Sequence, residues 1–309
     1  MDAENVGIIG LGLMGSAMAK WLVARGFRVL GHDTDPKARE RMAASGCRLA
    51  NSPAEIASKT GVILLSLPTT AAVASVLEDE YGLLTTNKIM ARVIVDTGTT
   101  AIEATHEFAD AARKIIGLPW LDAPVSGGPA AAGGGSLAIM AGGSEGAFLS
   151  AEPVLRELGT VTRMGETGTG QATKLVNQTL VLNNFLVIAE AVRLAEAYGV
   201  DPTRIPAALG GGYAGSNLLP VLVDRMARRD WTPTGYARQL LKDLDLVLDA
   251  GKAKALAQPV TSQTAMLYRM AMGAGLSEQD GAAILELLPE GRQELTEPMI
   301  ATADEAKPS

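Results

Sequence analysis

Val6-Gly7-Ile8-Ile9-Gly10-Leu11-Gly12-Leu13-Met14-Gly15 runs an apolar strand straight into a glycine turn. Each glycine answers a separate need: Gly10 the tight strand-to-helix turn, Gly12 the approach of a pyrophosphate to the backbone, Gly15 the close packing of helix on strand. The helix that follows, 13–25, would aim its free N–H groups and positive dipole end at phosphates. Gly10, Leu11, Gly12, Leu13, Met14 and Gly15 are therefore the first candidate coenzyme contacts. A second apolar strand, 27–31, leads to Asp33, eighteen residues beyond Gly15 and near the spacing expected of a carboxylate on an adenosine ribose. That carboxylate accepts from a ribose 2′-OH and repels a 2′-phosphate, so the reading favours NAD over NADP. Lys37, Arg39 and Arg41 on the next helix are the residues that would argue for NADP. Asp35 before Pro36 fits the start of that helix better than Asp33, which leaves Asp33 free for the ribose.

The 309 residues are enough for two domains with sizeable cores, and 47% hydrophobic content describes an ordinary globule. A formal charge of −7 without a basic cluster speaks against nucleic acid as a partner. The apolar runs, such as 180–189 interrupted by Asn183 and Asn184, read as too short and too polar to span a bilayer, and no targeting pattern opens the chain, so a cytoplasmic protein without a membrane partner is expected. One cysteine, Cys47, excludes an internal disulfide. His32 and His106 are far apart in sequence, and no metal site is expected from them.

Up to about residue 165, apolar strand candidates (62–67, 93–95, 120–123, 137–140 and 161–164) alternate with helical segments. This predicts an α/β, Rossmann-type dinucleotide-binding domain, 1–165, with a largely parallel sheet covered on both faces. Ligands on such sheets collect at the carboxyl ends of the strands. Ser66-Leu67-Pro68, Asp96-Thr97-Gly98-Thr99 and Ser126-Gly127-Gly128 all follow strand candidates and can face one crevice. Beyond Gly170 the strand signal vanishes, and an all-α domain, 166–300, is expected before a flexible tail, 301–309. Its first helix, 169–198, would be roughly 45 Å long at 1.5 Å per residue and join the two domains. That helix is apolar nearly all round in its middle, so several of its faces must be buried at once, and a homodimer or homotetramer is expected. The Gly/Ala-rich stretch 127–135 reads as a loop beside the crevice.

Lys174 and Asn177 stand three apart and Gln178 four from Lys174, so the three share a helical face. Spacing alone leaves open a solvated first turn or a reaction site. A lysine beside a nicotinamide would be partly desolvated and near a cationic ring, and both effects lower its pKa toward a useful range.

Gly10-Leu-Gly-Leu-Met-Gly15, Asp122-Ala-Pro-Val-Ser-Gly-Gly128 with its continuation to Gly143, Gly168-Thr-Gly170 leading to Lys174-Leu-Val-Asn177, and Lys242-Asp243-Leu244 together resemble the β-hydroxyacid dehydrogenases. The resemblance implies NAD(P)-dependent, metal-free oxidation of a small 3-hydroxy acid, of the 3-hydroxyisobutyrate dehydrogenase type. It implies further that Lys174 is the general acid/base, that Ser126, Gly127 and Gly128 hold the substrate carboxylate, and that Asn177 bonds the substrate. Thr99 and Lys242 then match positions near the nicotinamide, alongside Leu67 and Pro68.

The pattern also departs from the family's. Gly98 stands where Asp-x-Ser-Thr usually has its serine, and Gln178 replaces a frequent second asparagine. Pro129 and the small residues 130–135 supply no arginine, which favours a compact or apolar substrate tail. Tyr213, Asn217, Trp231 and Tyr236 are candidates for the rest of the pocket. Two rival readings remain. One is an NADPH-dependent reductase of small semialdehydes or imines, which Asp33 and Lys174 count against. The other is a non-catalytic NAD sensor, which the joint presence of Lys174, Asn177 and Ser126 counts against.

Overall fold

In the computed structural model, residues 5–290 are described, so the last ten residues of the expected 166–300 domain and the expected tail 301–309 lie outside the described residues. The strands are β1 (Asn5–Ile9), β2 (Arg28–His32), β3 (Arg48–Leu49), β4 (Val62–Leu65), β5 (Val93–Asp96), β6 (Trp120–Asp122), β7 (Val125–Ser126), β8 (Leu137–Gly142) and β9 (Gly159–Gly165). They form one sheet in the order β3-β2-β1-β4-β5-β6-β8-β7, with β9 paired to β8. Pairing is parallel from β3 to β6, then antiparallel where β8 meets β6 and β7.

The central strands read as continuous apolar runs because both faces are covered. Val62 and Leu64 join Val93 and Val95 in the core on one face. Ile63 and Leu65 join Ile94 and Trp120 in the core on the other. The chain reverses direction across the sheet between β1 and β4, and the crevice at such a point is where α/β sheets take ligands.

After β9 the chain enters the helix Thr169–Ala197. No further named strand occurs among the described residues, as the loss of the strand signal beyond Gly170 implied. By mean hydropathy, 1.4 over its best window, this helix is apolar enough for a membrane span, contrary to the expectation from run length. Burial accounts for part of this composition, 39% of that window being buried, while Val176, Leu180, Val187 and Leu194 stay exposed. Gln171, Lys174 and Gln178 are buried polar residues on it, and Leu182, Leu186, Ala189 and Val192 lie in the core of the helical lobe. The helices Leu218–Arg228, Ala237–Ala253 and Pro259–Gly273 pack around it.

One local expectation fails. The stretch read as a loop contains a short helix, Gly128–Gly133. Pro129 sits in its first turn and Ala130 to Ala132 are good helix formers, which outweigh the glycines at its ends.

Candidate active site between the two lobes

The glycine turn has the geometry its sequence demands. Gly10 has φ +94°, and a Cβ there would lie 2.3 Å from the Ser66 carbonyl oxygen. A Cβ on Gly15 would lie 1.9 Å from the Gly10 oxygen, so helix and turn touch backbone to backbone. At Gly12 the situation reverses: nothing lies within 4 Å of the position a Cβ would take. The helix Leu13–Ala24 also begins without a side-chain cap. Open space over uncapped N–H groups is what a pyrophosphate requires, so the chain fits a dinucleotide here. Leu13 is exposed at this entrance and Met14 half-buried.

Leu11 plays a different part from its neighbours. Its side chain is buried, and its N–H donates to Asp33 Oδ2 at 2.6 Å, while Asp33 Oδ1 accepts from the Asp35 N–H at 2.8 Å. Asp33 is thus pinned at the end of β2 against the glycine turn. Asp35, not Asp33, caps the next helix, accepting from the Lys37 N–H at 2.9 Å. Arg39 is turned to the Ala50 carbonyl oxygen, 2.7 Å away.

The loops after β4 and β5 form the next walls. Pro68 offers its carbonyl oxygen to Gln239 Nε2 at 2.6 Å, and Thr99 offers its own to Lys242 Nζ at 2.9 Å. Both donors come from the helix Ala237–Ala253 of the helical lobe, so one helix bridges to both loops. Leu67 is half-buried beneath them.

Lys174 lies in the second turn of the long helix with 7% of its surface exposed, and its Nζ donates to the Val125 carbonyl oxygen at 2.7 Å. The residue after Val125 is Ser126, followed by Gly127 (φ +130°) and Gly128 (φ +71°). A Cβ on Gly128 would meet nothing within 4 Å, whereas one on Gly127 would lie 2.7 Å from the Ala131 side chain, so the turn after β7 is open at Gly128. Burial pushes the Lys174 ammonium down to about 8, helped by the charge of Lys242 and opposed by that of Asp243.

Asn177, half-buried, donates from Nδ2 to Gln178 Oε1 at 2.8 Å. Gln178 in turn donates from Nε2 to Asp243 Oδ2 at 2.5 Å. Asp243, 6% exposed, also pairs with Lys242 at 2.6 Å. The chain of polar contacts has a direction set by the carboxylate. Asp243 can only accept, so the Gln178 amide must present its NH2 to it and its oxygen to Asn177. Asn177 then keeps its carbonyl oxygen and one N–H for a ligand.

Sequence reasoning quoted Asp243 only as part of a motif and gave Asp96 and Asp122 no roles. Asp122 Oδ1 and Oδ2 accept the Gly168 and Gln171 N–H groups at 2.8 and 2.9 Å, which caps the long helix where no neighbouring side chain does. Burial raises Asp122 to about 6 and raises Asp96 as well. The signal available was weak: an aspartate at the end of each of two apolar strands, which pair as Asp96 and Asp122.

The suggested pocket aromatics do not gather in one place. Tyr213 is fully exposed, Asn217 is exposed, and Trp231 packs on the core of the helical lobe. Tyr236 lies under the Arg238 guanidinium, 4.6 Å from ring centre to carbon. An open groove of about 420 Å³ lies away from the lysine, lined by Leu180, Asn183 and Val187 of the long helix and by Pro259 and Val260. No cluster of metal-ligating side chains occurs among the described residues.

Comparison with known proteins agrees with this architecture. Residues 5–167 match the model for the NAD binding domain of 6-phosphogluconate dehydrogenase, and residues 168–288 match that for the NAD-binding part of NADP-dependent 3-hydroxyisobutyrate dehydrogenase. The chain is 34% identical to 2-hydroxy-3-oxopropionate reductase of Escherichia coli, over 92% of this chain and 97% of that one. Among solved structures it resembles a 3-hydroxyisobutyrate dehydrogenase from Salmonella typhimurium (29% identity, TM-score 0.82, covering 92% of this chain and 99% of that one). It also resembles the Mycobacterium tuberculosis 3-hydroxyisobutyrate dehydrogenase solved with L-serine (30% identity, TM-score 0.78, covering 93% and 99%).

Proposed function

The chain belongs to the 3-hydroxyisobutyrate dehydrogenase family, a family of NAD(P)-dependent oxidoreductases of hydroxy acids and semialdehydes, and from that premise we propose that it interconverts a small 3-hydroxy acid and its semialdehyde with NAD, Lys174 acting as general acid/base. When bound, the nicotinamide supplies the site that accepts or returns the hydride. Gly10, Gly12 and Gly15, with the N–H groups at Leu13 and Met14, would hold the pyrophosphate, and Asp33 the adenosine ribose. Leu67, Pro68, Thr99 and Lys242 would line the nicotinamide half. Ser126, Gly127 and Gly128 hold the substrate carboxylate, and Asn177 fixes the substrate's angle.

The observation that carries this reading is the buried amine of Lys174, 2.7 Å from the oxygen of Val125, the residue before Ser126. Neutral Lys174 takes the substrate hydroxyl proton as the carbinol C–H bond breaks; in the return direction its ammonium gives that proton back to the aldehyde oxygen. Because the amine titrates at about 8, the ammonium form prevails at neutral pH, which favours semialdehyde reduction there and oxidation above it.

Asp33 and the commitment of Arg39 to Ala50 support NAD over NADP. A second copy of the chain is the partner we propose for the exposed apolar face of the long helix, where Val176, Leu180, Val187 and Leu194 stand in line. The test is turnover of 3-hydroxyisobutyrate, L-serine, glycerate and 2-hydroxy-3-oxopropionate with each coenzyme. Turnover with kcat/KM at least tenfold higher for NAD is expected. Preference for NADP would overturn the role of Asp33, and tight NAD binding with no turnover of any acid would overturn the enzymatic reading.

A further inference from the structure

Gln171 has no role in the scheme above, yet it is fully buried at the start of the long helix, one turn before Lys174. Its Oε1 accepts from the Thr100 N–H at 3.1 Å, and its Nε2 donates to the Gly98 carbonyl oxygen at 3.0 Å and leans on Asp96 Oδ2 at 3.4 Å. A single side-chain amide thus grips the backbone on both sides of Thr99, as a neighbouring strand would. The amide has one workable orientation. Turned over, its oxygen would face the Gly98 oxygen and the Asp96 carboxylate, both acceptors.

Each end of this clasp is seated on something rigid. The Gln171 N–H is held by Asp122, and a Cβ on Gly170 would lie 2.3 Å from the Asp122 carbonyl oxygen and 2.5 Å from that of Met140, so the helix start is jammed against β6 and β8. On the other side, Asp96 Oδ1 accepts from the Gly98 N–H at 2.9 Å and Oδ2 from Thr100 Oγ1 at 2.6 Å. A Cβ on Gly98 would lie 2.8 Å from the Leu67 carbonyl oxygen, so the clasped segment also packs directly on the loop after β4.

We infer that Gln171 is a positioning residue: its amide fixes the Gly98–Thr100 segment, the wall assigned to the nicotinamide, relative to Lys174 on the next turn of the same helix. The part played by Thr99 and Lys174 rests on the function proposed above; the clasp itself does not. One helix face then serves three walls in turn. Gln171 holds the loop after β5, Lys174 reaches Val125 on β7, and Gln178 reaches Asp243 in the helical lobe. A rigid helix spanning both contacts sets donor and acceptor geometry without the loop having to be rigid by itself.

The test pairs amide exchange in coenzyme-free protein with kinetics. In Gln171→Ala, deuterium uptake in residues 97–101 should quicken at least tenfold while the helix Ile102–Ile116 stays protected. Where the wild type turns over an acid, kcat should fall about 10- to 100-fold with the Kd for NADH, read by its fluorescence, changed less than threefold. Gln171→Glu separates a clasp from mere packing. Ionised, the glutamate lacks the donor to Gly98, whereas protonated it carries both a donor and an acceptor, so exchange in 97–101 should return toward wild type as pH is lowered. Exchange unchanged in Gln171→Ala, or Gln171→Glu behaving alike at every pH relative to wild type, would overturn the inference. A wild type that turns over none of the acids would sink the proposed function, and the exchange data would still decide the clasp.

Discussion

The glycine turn at 10–15 and the polar seam at 171–178 both reach the loop after β4, the turn at Ser66 and the seam through Gly98 against Leu67, and are built by opposite means. The turn works through side chains that are missing: a Cβ at Gly10 or Gly15 would strike backbone oxygen, and the space over Gly12 is empty. The seam works through side chains that are present and buried, each tied to a different wall: Gln171 to Gly98, Lys174 to Val125 and Gln178 to Asp243. Under the proposed function, a coenzyme common to many reactions would be met by backbone and the proton of one reaction by a tuned side chain. The two regions should therefore fail separately when altered.

Lys174→Ala should have the largest effect. We expect kcat to fall by about 10²- to 10⁴-fold, the range of general acid/base contributions, with NADH affinity retained. Steady-state rates and fluorescence titration measure the two halves, and loss of NADH affinity in step with turnover would break the separation. Gly15→Ala should do the converse. A methyl group 1.9 Å from the Gly10 oxygen forces the turn open, costing about 1–3 kcal/mol of stability by overpacking and abolishing NADH binding. Thermal unfolding and the same titration check this, and normal NADH affinity would show that the turn tolerates a side chain.

Asp243→Asn sharpens the comparison within the seam. Asparagine can present an NH2 as well as an oxygen, so the fixed direction of the Gln178 and Asn177 amides is lost. The expected fall in kcat is about tenfold, corresponding to roughly 1.4 kcal/mol. The missing negative charge should also move the Lys174 titration below about 8, because Asp243 supports the ammonium form. A pH profile identical to wild type would remove Asp243 from the tuning of Lys174.

The same contrast explains what was legible in the sequence. The turn, its helix and Asp33 were readable because strand, glycines and carboxylate follow one another within a single βαβ unit. The face shared by Lys174, Asn177 and Gln178 followed from helical spacing, although the structure buries Lys174 and Gln178 more deeply than Asn177. Gln171 lies on that face too, but its partners at 98 and 100 come from another strand end, and no local pattern announces them. Asp243 is 65 residues from Gln178, so their contact depends on how two helices cross. Aromatic type gave no direction to Tyr213 or Trp231, which ended at the surface and against the helical core. In the stretch 127–135, glycine content suggested a loop where alanines and a proline at the first turn form a short helix.

The buried lysine is the point on which the whole account turns, and the pH dependence of kcat/KM for oxidation by the wild-type protein tests it most directly. The base must be neutral, so the rate should rise about tenfold per pH unit on the acid side and level off above an inflection near 8. A rate still climbing past pH 10, where an ordinary exposed lysine titrates, or one flat from pH 6 to 9, would contradict it.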